Sequence, residues 1–97
     1  MKLLSLQDFA AAANQSFDLA VGGASLTLNL VRIDPLPVQA FQGQMRQPFS
    51  LLFKAASPVV LPQKLYTLKN AAMGRLDVFL VPVAREPDGF VYQAVFN

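Results

Sequence analysis

Leu76-Asp77-Val78-Phe79-Leu80-Val81-Pro82-Val83 is the longest largely apolar run of the chain, and Phe90-Val91-Tyr92-Gln93-Ala94-Val95-Phe96 follows it across Arg85-Glu86-Pro87-Asp88-Gly89. Pro87 and Gly89 stand where turn chemistry wants them, so the two runs read as a β-hairpin. Side chains alternate across a strand. Leu76, Val78 and Leu80 therefore share one face of the first strand, and Phe79, Val81 and Val83 share the other. In the second strand Phe90, Tyr92, Ala94 and Phe96 oppose Val91 and Val95. A strand with one face in water carries polar residues on that face. Both strands of this hairpin instead carry apolar residues above and below, which predicts cover on both sides.

The same alternation recurs upstream. Tyr66 and Leu68 share a face of a short strand, and Phe49, Leu51 and Phe53 share a face of another. Phe17, Leu19 and Val21 alternate up to Gly22-Gly23, paired glycines that tolerate the positive φ of a tight turn, and Leu26, Leu28 and Leu30 continue beyond it. The pattern slips at Val31 and resumes at Ile33 on the other parity, which predicts a β-bulge near Leu30-Val31. Asp34-Pro35 ends that strand, because proline cannot donate to the ladder. Residues 35–47 are the least regular and fit a loop or a poorly paired edge strand; Ser57 to Pro62 is bounded by prolines, and Asn70 to Gly74 is a turn.

The period differs only at the start. Ser5 with Asp8 forms a variant of the capping box, Leu4 and Phe9 stand at staple positions, and Leu6, Phe9, Ala10 and Ala13 recur at helical spacing before Asn14 stops the helix. About ten residues are too few for an isolated helix, so its apolar face must dock. These elements predict a mainly β fold: a small antiparallel β-barrel or roll of about six strands with one short N-terminal helix, in a single domain over residues 1–97.

Composition restricts the chemistry. The chain has no His, Cys or Trp. His- and Cys-based nucleophile systems, the usual zinc sites and disulfides are thereby excluded. Asp8 reads as a capping residue and Asp88 as a turn residue, and Glu86 with Asp88 falls short of the six to eight oxygens a calcium site takes. Gly22-Gly23 joins strands rather than opening a helix, so it is no phosphate loop. Lys and Arg are scattered singly for a net charge of +2, without the basic stripe that nucleic-acid binding needs. No run approaches a membrane span or a secretion signal, so the expected location is cytoplasmic. The expectation is a protein that is not an enzyme, with no catalytic residues, cofactor or metal.

What remains is surface. Hydrophobic residues make up 54% and charged residues 14% of the chain, against roughly 25% charged in an average soluble domain. The outer face of the 76–96 hairpin, with Phe79, Val81, Val83, Val91 and Val95, is the first candidate interface, the alternative being that the N-terminal helix covers it. A second candidate is the Gln-rich stretch 39–47, where Phe41, Met45 and Arg46 are of the types enriched at interface cores, although an ordinary loop fits too. The partner expected is a protein, a second copy forming a homodimer being one choice, with neither nucleic acid nor membrane involved. The alternative function is a barrel holding an apolar small molecule, lined by Phe53, Tyr66 and Phe90. A carboxylate-only enzyme would need Asp18 and Asp77 to converge in one cleft.

Leu6-Gln7-Asp8-Phe9, Pro48-Phe49-Ser50-Leu51-Leu52-Phe53, Tyr66-Thr67-Leu68, Gly74 to Pro82-Val83, and the ending Tyr92-Gln93-Ala94-Val95-Phe96-Asn97 occur in that order. Together they resemble a family of short bacterial proteins known only as a domain of unknown function. The resemblance spans nearly the whole chain and rests on apolar, structural motifs. It implies company with phage-tail-collar-like proteins, and so an accessory or assembly role in a phage-tail-like or surface-fibre system. It brings no catalytic residues.

Overall fold

In a computed structural model of the protein, which describes residues 4–37 and 47–97, one helix precedes six strands. They are α1 (Leu6–Ala10), β1 (Ser16–Val21), β2 (Ala24–Pro35), β3 (Phe49–Ala55), β4 (Lys64–Asn70), β5 (Gly74–Glu86) and β6 (Gly89–Phe96). The strands close into an antiparallel barrel in the order β1-β2-β3-β6-β5-β4. Closure rests on Asp18 facing Lys69 and Leu19 facing Leu68, between β1 and β4.

Local chemistry sets each hairpin. Gly22 and Gly23 have φ of 52° and 84°, the positive pair that a tight β1–β2 turn requires. Between β4 and β5 the buried Asn70 accepts the backbone N–H groups of Ala72 and Met73, each at 2.9 Å, and its amide donates to the Ser16 carbonyl at 2.9 Å. One side chain thus shapes that turn and ties it to β1. The bulge expected near Leu30-Val31 is present, with the β2–β3 register shifting between Leu30 and Arg32. It turns Ile33 into line with Leu51 after Leu28 and Leu30 have faced inward. A second shift, between Pro82 and Ala84, makes Val83 an extra, unpaired residue of β5.

The inward faces form one core. Phe17 meets Phe53 edge-on at 5.3 Å, and Leu19, Leu28, Leu30, Leu51, Leu68, Val78 and Leu80 are buried around them. Two plugs close the ends. At one end the link from β3 to β4 crosses over the barrel and inserts Leu61, whose N–H donates to the buried Tyr92 hydroxyl at 2.8 Å. The Tyr66 hydroxyl donates to the Pro62 carbonyl at 2.6 Å in the same link. Tyr92→Phe leaves the Leu61 N–H buried without its acceptor, so it is expected to cost about 1–3 kcal/mol in urea denaturation. A midpoint that does not move would show that water replaces the hydroxyl.

At the other end α1 is the plug. Ser5 caps it as expected: the Asp8 N–H donates to Ser5 Oγ at 3.4 Å, and the Ser5 N–H donates to Asp8 Oδ2 at 2.8 Å. Phe9 packs on Phe49 and Phe96, with ring centroids 5.7 and 5.3 Å away, and Phe49 stacks on Phe96 at 4.8 Å. The helix itself is shorter than the spacing predicts. It ends at Ala10, Ala11 to Asn14 form turns, and Ala10 and Ala13 are exposed while Ala12 is buried. The reason lies at Asn14, whose φ of 65° breaks the helical path so that its N–H can donate to the Leu30 carbonyl at 2.8 Å.

Candidate functional site

The outside of the barrel is divided in chemistry. On β1, β2 and the adjoining parts of β4 and β5, several outward residues pair as polar couples, although Val21 and Val31 are exposed there too. The Ser16 hydroxyl donates to Asn29 Oδ1 at 3.2 Å, Thr27 to Asp18 at 3.1 Å, and Thr67 to Asp77 at 2.6 Å. This is the alternation of a wall facing water. Past Asp77 the chemistry changes. The next outward residue of β5 is Phe79, 48% exposed, and directly opposite it on β4 is Leu65, 58% exposed. Beyond them Val81 faces Gln93 of β6, and Gln93 faces Leu52 of β3. Val95, 51% exposed, and half-buried Val91 flank Gln93 along β6, and Val83, 49% exposed, stands out at the bulge.

Phe79, Val81, Val83, Val91 and Val95 thus all lie outside the inward-facing core. Val83 departs from the simple alternation, because the bulge removes it from the ladder. The helix lies elsewhere: α1 packs against β2 and on the barrel end through Phe9, at Phe49 and Phe96. Phe41, Met45 and Arg46 lie outside the described residues. Leu65, Leu52 and Gln93 join the wall without having been singled out. The signal for Leu65 was in the strand itself, since Tyr66 and Leu68 inward put Leu65 outward; its place beside Phe79 needed the register.

A rim of paired charges borders the wall. Lys54 Nζ lies 3.1 Å from Glu86 Oε1 and 3.2 Å from Asp88 Oδ1. Arg32 Nε lies 2.7 Å from Asp34 Oδ2. The bonds to Glu86 and then Asp88 raise the Lys54 ammonium above its ordinary range, and the bond from Lys54 holds the Asp88 carboxyl below its own. Asp88 is therefore charged and paired above the usual carboxylate range, and the pairing fades as pH falls through its lowered midpoint. NMR titration should place that midpoint below an ordinary Asp, and Lys54→Met should bring it back up. An ordinary midpoint in the wild type would mean the pair is not held in solution.

The other sequence candidates do not assemble into a site. Asp18 faces Thr27 and Lys69, and Asp77 bonds to Thr67; both lie on the water-facing wall. Phe53 and Tyr66 point into the barrel, where Phe17 and the Leu61 plug take up the space beside them, and Phe90 is half-buried at the rim of that end. Among the described residues no three acidic side chains gather as a metal site would need, and no helix is long and apolar enough to cross a membrane. The wall formed by β4, β5, β6 and β3 carries exposed apolar residues on neighbouring strands, apart from Val59 and Val60 of the β3–β4 link and Val21 and Val31 of β1 and β2.

No curated protein and no solved structure matches the chain. The family DUF6916, a domain of unknown function, matches residues 4–96, and the chain belongs to that family.

Proposed function

We propose that this domain is a non-enzymatic protein-interaction module that docks through the apolar outer wall of the β5–β6 hairpin. One observation carries the reading: Leu65, Phe79, Val83 and Val95 are each about half exposed or more on the side of the barrel formed by β4, β5 and β6, whereas on β1 and β2 polar couples hold much of the outer face, with Val21 and Val31 exposed among them. Covering such side chains with another protein removes apolar area from water at about 25 cal/mol per Å². The half-buried Lys54 and its carboxylate partners make the polar rim that commonly surrounds an interface centre. The resemblance described above adds a setting, an accessory part of a bacterial phage-tail-like or surface-fibre assembly.

The test is co-expression of the tagged chain with the products of neighbouring genes, tail-collar-like proteins among them. The wild type should retain one of them, Phe79→Lys and Val95→Lys should release it, and Thr27→Lys on the polar wall should retain it. Retention that survives both wall substitutions, or no retention by the wild type, contradicts the proposal.

A further inference from the structure

We infer that the seam between β1 and β4 takes up an extended segment of a partner protein as an added strand on β4. The inference goes beyond the docking wall, because it rests on backbone groups rather than on the wall's side chains. β1 and β4 face each other at two positions, Asp18 with Lys69 and Leu19 with Leu68, against five to seven in every other neighbouring pair. Continued in the same register, the ladder would set Ala20 against Thr67 and Val21 against Tyr66, and neither pair forms. β4 nevertheless runs back to Lys64 and stays paired with β5 along its whole length. Neighbouring residues of a strand point their N–H and C=O groups to opposite edges. Alternate residues of Lys64–Thr67 therefore turn both groups toward the seam, where no backbone partner meets them among the described residues. Water meets those groups in the free protein. An added strand replaces it with a ladder.

What lies beside the edge defines the segment. A groove of about 320 Å³ opens at the same end of the barrel, with Val21, Leu26, Val59 and Leu61 in its lining. Val21 is the last residue of β1, and Leu61 stands three residues ahead of β4, so the groove borders the open edge. Val59 is 65% exposed there. Alternate side chains of an added strand point to opposite faces. One set falls toward Val21 and Leu61 and is apolar; the other lies beside the outward Leu65 and Thr67 and includes polar residues. Lys64, at the open end, has no carboxylate partner among the described residues, which favours an acidic residue at the end of the segment. Four open residues of β4 offer about four ladder bonds, so the binding is weak and reversible.

The probe is the blocked peptide Glu-Val-Thr-Val-Thr-Val-Glu, whose order is the same read from either end, so it suits a parallel or an antiparallel addition. Amide exchange by NMR reads the edge. In the free protein, alternate amides of residues 64–67 should exchange freely while those facing β5 are protected. Adding about 1 mM peptide should slow the free ones about tenfold. Two methylated peptides carry the decisive comparison, one with methyl groups on its valine backbone nitrogens and one with them on its threonine backbone nitrogens. Only one set of alternate amides meets β4, so one of the two peptides should lose the protection and the other keep it. Slow exchange at all four amides of the free protein, no slowing by the unmethylated peptide, or the same result from both methylated peptides overturns the inference. Val95→Lys leaves the edge intact and should keep the protection, so failure of the wall and failure of the edge are read separately.

Discussion

Gly89→Ala is expected to lower the stability of this domain by about 3 kcal/mol or more, an unusual penalty for one methyl group. Gly89 opens β6 directly after the Pro87-Asp88 turn and sits against the end of β3. A Cβ built on it lands on the Ala55 carbonyl oxygen, 2.9 Å from the Ala55 carbonyl carbon and 3.1 Å from Ala56 Cα. Those atoms are backbone and cannot swing away as the end of a flexible side chain does. Relief requires β6 to separate from β3, which weakens the Ala55–Phe90 and Lys54–Val91 pairings next to it. The same movement loosens the contacts of Lys54 with Glu86 and Asp88. Urea denaturation followed by circular dichroism measures the loss. A loss under about 1 kcal/mol would mean that the β5–β6 turn floats free of β3.

Phe9→Ala is expected to cost about 3–5 kcal/mol, the range for emptying a buried phenylalanine site. Phe9 is fully buried although it sits on a helix of five residues. A helix that short has no stability of its own. It is held by this ring on Phe49 and Phe96, by the Ser5–Asp8 cap, and by Asn14 bonding to Leu30. Removing the ring should therefore both open a cavity at the barrel end and release the helix. Faster amide exchange at residues 6–12 than in β3 would report the release, with a denaturation midpoint shifted by the stated amount. An unchanged midpoint would show that the barrel is closed without its plug.

The hairpins were legible because two signals coincide in each: alternation along the strands and turn residues between them. Phe17-Leu19-Val21 before Gly22-Gly23, and Leu76 to Phe96 around Pro87 and Gly89, needed no tertiary knowledge. The Val31 bulge was legible from a change of parity, whereas the bulge at Val83 was hidden, because Val83 and Ala84 are apolar on either parity. Closure of the barrel was less accessible. It depends on two facing pairs between β1 and β4, and nothing in Asp18-Leu19 or Leu68-Lys69 marks them as partners over the polarity they already show. The helix was overestimated because Ala10 and Ala13 satisfy helical spacing without bringing enough apolar area to require burial. For the candidate site, the doubly apolar hairpin could be read directly from the chain. Its extension to Leu65 and Leu52, and the place of Gln93 at its centre, are properties of register.

Phe79, Val83 and Val95, outward on β5 and β6, are about half exposed, without full shelter among the described residues of their own protomer. Denaturing Phe79→Ser at about 1 µM, dilute enough to disfavour association, tests this most directly. A ring already half in water, sharing a cross-strand contact with Leu65, should cost about 1 kcal/mol or less when removed. A loss of about 3 kcal/mol or more, the magnitude expected for Phe9, would place Phe79 in a core and contradict the account.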